Sequence, residues 1–248
     1  MQKVRAEIAS SVATNVMRTV NSYTQKTVDG TNASTNATMS IESTSKIAKM
    51  PAIQGVSITK ADVYHELYRN KKTDEQYYNM YVKYPFSQFD LVELVTAYEK
   101  HEKEIDERIN GFEEGLDNIQ TVEQVDDAIT ALGALSKEIG TDDARYFAVE
   151  GLVNRYIAVY DNIIIEVVRN EPGKLTIQLV YNGQTITTSQ KPRMKSNCAA
   201  QFNMKTMGDK MVINYNSEYC YEQDDNYIEV SFRFGSKFVK EKAFFKMR

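Results

Sequence analysis

The apolar residues of this chain change their spacing twice, and those changes confine it to a mixed fold with helices and strands segregated along the sequence. In "YNMYVKYPFSQFDLVELV" (residues 78–95) they fall on every second position before Pro85 and on every third or fourth after Ser87. Alternation by two marks a strand, and recurrence by three to four marks a helix. Pro85 has no N–H to give to a ladder, so the strand ends there. Ser87 and Asp90 have the Ser-x-x-Asp spacing of a helix start, where the hydroxyl caps a free N–H and the carboxylate meets the positive end of the helix dipole. From Asn162 onward the period returns to two and stays there.

Between these changes the pattern is helical. Leu91, Val95, Tyr98, Ile105, Ile109, Phe112, Leu116 and Ile119 form a heptad-like seam, with Gly111 and Gly115 weakening its last turns and permitting a bend. Thr121 starts a second helix that Gly140 ends, and Thr141-Asp142-Asp143 caps a third carrying Phe147, Leu152, Tyr156 and Val159. The seam is satisfied either by these helices or by a second chain, so an oligomer is compatible with it. Upstream, Val4, Ile8, Val12, Val16 and Val20 place one apolar stripe on a helix over residues 2–26. A Thr/Asn-rich loop containing Asn32 and Asn36, a short helix over 38–49, and a hairpin ending at Pro85 follow.

After Asn162 about seven short strands are separated by Pro172-Gly173, Asn182-Gly183, Gly208-Asp209 and Gly235-Ser236. Asn-Gly between two alternating runs is a strong two-residue hairpin signal. The expected fold class is therefore α+β. It comprises an N-terminal α+β hairpin-containing domain (1–86), a helical hairpin or bundle spacer (87–160), and a C-terminal antiparallel β-sandwich of immunoglobulin-like type (161–248). The charge follows this division. Residues 1–160 carry 17 basic and 24 acidic side chains, the remainder 13 and 10. A net charge of −4 argues against a nucleic-acid partner.

Four elements resemble the bacterial envelope-lipoprotein family named LPP-twenty and the related N-terminal domain of flagellar assembly protein T. They are the Ala/Val helix "VRAEIASSVATNV", the Ser/Thr-rich segment after it, "IQGVSITKADVY", and the tyrosine-rich "YYNMYVKYPFSQFD". The resemblance covers roughly residues 1–95. It implies an α+β domain in the periplasm or at the outer membrane, with envelope proteins as partners, and it supplies no catalytic residues. The family pattern has a strand before the first helix and, upstream, a signal peptide and a lipidated cysteine. This sequence opens inside a helix, as expected of a chain whose first strand and membrane anchor lie upstream of Met1.

Little in the sequence points to chemistry. His101 sits between Lys100 and Glu102 on a solvated helix face, and His65 and Glu66 are strand neighbours that point to opposite faces. The acidic "EQDDNYIE" lacks the oxygen spacing and central glycine of a calcium loop and reads as a hairpin turn. No catalytic residue, cofactor or metal is expected. Cys198 and Cys220 are either two buried thiols or one disulfide suited to an exported protein. Sixteen tyrosines are the one compositional oddity, and Tyr215, Tyr219, Tyr221 and Tyr227 cluster in the C-terminal part. They either fill strands, form a protein interface or stack on sugars. The expectation is a non-enzymatic envelope protein serving as accessory or scaffold in a larger assembly, with a cell-wall or surface-glycan binding module as the alternative.

Overall fold

The computed structural model describes residues 2–24, 47, 50, 53 and 60–247. The loop with Asn32 and Asn36, all of the 38–49 helix but Ile47, and residues 54–59 of the strand expected from Ile53 onward lie outside the described residues, as do the side chains of Met17 and Val20; Ile53 itself is helical. The class is α+β, with four helices and ten strands in three antiparallel sheets among the described residues. The chain divides into two compact units, Met1–Glu107 and Arg108–Arg248, with the boundary inside a helix.

The first unit contains α1 (Gln2–Thr24), β1 (Asp62–Arg69), β2 (Gln76–Lys83) and the first 20 residues of α2 (Gln88–Leu116). Its core joins Ile8, Ala9, Val12, Ala13 and Val16 of α1 to Ile47, Ile53, Leu94 and Tyr98. The four-residue spacing of the α1 positions gathers them into one buried stripe. Ser87 caps α2 as expected. Its hydroxyl accepts from the Asp90 N–H at 3.1 Å, while the Asp90 carboxylate accepts from the Ser87 N–H at 2.9 Å. Of the α2 seam, Tyr98, Ile105, Ile109 and Leu116 are buried and Leu91, Val95 and Phe112 are half-buried.

In the second unit α3 (Val122–Ile139) and α4 (Tyr146–Asn162) pack on one another. Thr121 closes a capping box with Gln124, and Gly140 ends α3 at φ 76°. The start of α4 departs from expectation. Arg145 occupies its cap position in helical geometry, and the buried Asp143 carboxylate instead takes a two-pronged bond from the Arg145 guanidinium at 3.0 and 2.7 Å. Phe147, placed in the core by its spacing, is exposed because it lies in the first turn on the outer side of α4.

Eight strands follow: β3 (Ile163–Glu171), β4 (Lys174–Tyr181), β5 (Gln184–Ile186), β6 (Arg193–Ser196), β7 (Ala200–Met207), β8 (Lys210–Asn216), β9 (Tyr227–Phe234) and β10 (Lys237–Phe244). One sheet has the order β3-β4-β8-β7, with β5 also paired to β4, and the other has the order β10-β9-β6. The additional strand relative to the sequence pattern is β6, whose "RMKS" shows no apolar alternation and is recruited by its ladder with β9. Asn182 and Gly183, at φ 49° and 77°, make the expected β4–β5 turn. Thr187 joins the sheet to the start of α3: its N–H donates to Gln120 O at 2.9 Å and its carbonyl accepts from the Val122 N–H at 3.0 Å.

Candidate functional site

The four candidate tyrosines do not form one surface. Tyr215 is corrected to a core residue: only 7% exposed, its ring packs between Phe202 and Phe245 and its hydroxyl donates to Glu171 O at 3.0 Å. It lies on an inward position of β8, and alternation alone does not tell an inward tyrosine from an outward one. Tyr227 is half-buried, with Phe244 beside its ring and the Lys242 ammonium 4.6 Å from its centroid. Tyr219 and Tyr221 alone stand free in solvent, 73% and 79% exposed.

Those two tyrosines flank Cys220, which is joined to Cys198 by a disulfide across 22 residues of sequence. The segment after them is not a hairpin turn, because β8 and β9 belong to different sheets. It is organised by Asn226, fully buried, whose amide donates to Tyr221 O at 2.8 Å and accepts from Gln223 Nε2 at 3.0 Å. The acidic side chains Glu222, Asp224 and Asp225 remain exposed around this anchor.

A second surface lies in the first unit. The β1–β2 hairpin exposes all but one of its strand residues, on both faces. Val63, Tyr64, Leu67, Tyr68, Tyr77, Tyr78, Met80 and Tyr81 are all exposed large side chains, with Tyr78 at 66% and Met80 at 68%. Tyr68 and Tyr77 sit opposite in the register and stack at 5.4 Å. Tyr68 also donates to Glu66 at 2.7 Å, a bond that with Tyr81 pushes its phenol up to about 12. The loop is held by Asn70 N–H donating to Glu75 O at 2.8 Å and by Arg69 on Asp74 at 2.5 Å. His65 and Glu66 project to opposite faces of β1, so they form no acid–base pair. The signal for this surface was present in the sequence: β2 has no polar face, since Tyr77 and Tyr81 alternate with Tyr78, Met80 and Val82.

Beside the hairpin end, α1, β2 and α2 border an open pocket of about 350 Å3 lined by Val4, Ile8, Tyr84, Phe86 and Leu91, with Glu7 as the one carboxylate among its described lining residues. No group of three or more His, Cys, Asp or Glu that could hold a metal exists among the described residues. No helix among them is long and apolar enough to cross a membrane. No protein family, curated protein or solved structure matches this chain.

Proposed function

We propose that this chain is a non-enzymatic component of a bacterial cell envelope, an accessory or scaffold protein in a larger assembly. It would combine an LPP-twenty-like domain, anchored through a lipidated segment upstream, with an immunoglobulin-like sandwich. The observation that carries the reading is the β1–β2 hairpin, which presents Leu67, Tyr78 and Met80 on one face and Tyr64, Tyr68, Tyr77 and Tyr81 on the other. An isolated two-stranded hairpin is marginal in water, and large exposed apolar surfaces mark sites of protein contact. Two further features support it. The Cys198–Cys220 disulfide suits an oxidising compartment such as the periplasm. With β5 left out and the other strands lettered A to G in chain order, the sheets read A-B-E-D and C-F-G, the arrangement of constant-type immunoglobulin domains.

The test is a photo-crosslinking residue at Tyr78 in cells, followed by fractionation and thiol labelling. The reading expects a crosslinked polypeptide in the envelope fraction and no reactive thiol at Cys198 or Cys220. A reduced, uncrosslinked protein in the cytosol would overturn it. The free rings of Tyr219 and Tyr221 favour a second reading, capture of cell-wall or surface glycan by stacking. Glycan-induced NMR shifts that vanish in Tyr219→Ala and Tyr221→Ala would favour that one.

A further inference from the structure

The hairpin has one strand edge that matches itself. In the β1–β2 register Asn70 faces Glu75 across a hydrogen-bonded pair. Bonded and non-bonded pairs alternate along an antiparallel ladder. Tyr77, Asn79, Tyr81 and Lys83 therefore turn their backbone groups toward β1, while Gln76, Tyr78, Met80 and Val82 turn theirs to the other edge of β2. Among the described residues no strand pairs with that edge.

The sequence along it, Glu75, Gln76, Tyr77, Tyr78, Asn79, Met80, Tyr81, Val82, Lys83, has Tyr77 and Tyr81 placed symmetrically about Asn79 and opposite charges at its two ends. A two-fold axis perpendicular to the sheet, midway between Asn79 and its copy, sets the outward-bonding residues against one another, Tyr78 on Met80 and Gln76 on Val82. The intervening non-bonded positions, where side chains come closest, then hold Tyr77 on Tyr81, Asn79 on Asn79, and Glu75 on Lys83. Each off-axis pair occurs twice. Aromatic, methionine–aromatic and opposite-charge pairs all stabilise antiparallel neighbours. The pairing ends at the loop on one side and at Pro85, which has no N–H, on the other. The free edge of β1 lacks this match: its two central registers place His65 on His65 or Glu66 on Glu66.

The geometry points to a second copy of this chain on the free edge of β2, paired antiparallel about Asn79 into a continuous four-stranded sheet. The dimer removes the exposed edge and brings the hairpin above the three strands that make a sheet stable. This inference rests on the hairpin being a protein-contact surface and names the first partner of that surface.

The test uses the whole chain. Sedimentation equilibrium is expected to show a concentration-dependent dimer, and Asn79→Cys is expected to crosslink to its own copy under mild oxidation. The two Cα atoms would lie roughly 4.5 Å apart in a non-bonded pair, within disulfide reach. Tyr64→Cys is the control, since three strand spacings (about 14 Å) and a four-residue offset along the strands separate it from its copy. Glu75→Lys and Lys83→Glu each weaken the dimer about ten-fold, and the two together restore it, which a folding defect would not do. A chain that stays monomeric, a dimer indifferent to Glu75→Lys, or an Asn79→Cys variant that fails to crosslink overturns the inference. If Tyr78 still crosslinks a different polypeptide in the envelope, the protein-contact reading survives that result. If it crosslinks nothing, both fail.

Discussion

One carboxylate oxygen of Glu123 accepts from both the backbone N–H and the hydroxyl of Ser189, each at 2.8 Å, across 66 residues of chain. The Thr188 hydroxyl adds a third bond at 2.9 Å. Glu123 sits in the first turn of α3, so the same carboxylate meets the helix dipole and fixes the segment after β5.

This cluster makes part of the stability pH-dependent. Burial alone pushes the Glu123 carboxyl up, but the Ser189 and Thr188 donors outweigh it and hold it below the usual carboxylate range. Its folded value is depressed, so its contribution is complete above the unfolded value of about 4.3 and is lost as pH falls through the folded value. Glu123→Ala should cost about 1–2 kcal/mol at neutral pH, a figure reduced for partial exposure. Urea unfolding of both proteins at pH 7 and pH 3 checks this, and the gap between them should narrow at the lower pH.

Two glycines of α2 answer oppositely to alanine. A Cβ on Gly111 meets nothing within 4 Å, so Gly111→Ala should stabilise by about 1 kcal/mol through helix propensity. A Cβ on Gly115 would lie 2.7 Å from the Tyr156 hydroxyl, which donates to Phe112 O at 2.7 Å from a buried ring. Gly115→Ala should therefore destabilise by about 1 kcal/mol despite its propensity gain. The loss should shrink in a Tyr156→Phe background, read by thermal melts of the four proteins.

Gly115 also illustrates where sequence reading stops. Both glycines look like helix weakeners from spacing alone, yet α2 runs unbroken through Leu116 and Gly115 makes room for a ring 41 positions away. Local signals were legible: the Ser87 cap, the Thr121 start, the Gly140 stop and the Asn182-Gly183 turn each depend on neighbouring residues. Properties set by distant pairing were not. Strand β6 exists because β9 recruits it, and Tyr215 points inward from β8 while Tyr219 lies in the exposed turn after it. The exposed hairpin was half legible, since β2 has no polar face, but exposure is a property of what does not pack there.

The disulfide sets the stability of the C-terminal connections. It links the β6–β7 connection to the β8–β9 connection. Closing a loop of this length restricts the unfolded chain by about 3 kcal/mol. The Cys198→Ser/Cys220→Ser double variant should lose about that amount in urea unfolding. Reductant should lower the midpoint of the natural protein and leave the variant unchanged.

Asn226 is the other anchor of that region, and its chemistry can be inverted. Its amide donates to the carbonyls of Tyr221 and Gln223, at 2.8 and 3.3 Å, from a fully buried position. Asn226→Ala leaves those carbonyls short of a donor and should cost about 2–3 kcal/mol. Asn226→Asp should cost more at neutral pH, because a buried carboxylate would face two carbonyl oxygens instead of donating to them. Its folded-state pKa would rise above the unfolded value. The variant should thus regain stability relative to the natural protein as pH falls toward 4, where the protonated acid can donate to one carbonyl again. Denaturation of the three proteins between pH 4 and 8 reads this directly. An Asp variant whose deficit is independent of pH would show that water reaches position 226 and that hydrogen bonding there does not hold the β8–β9 connection.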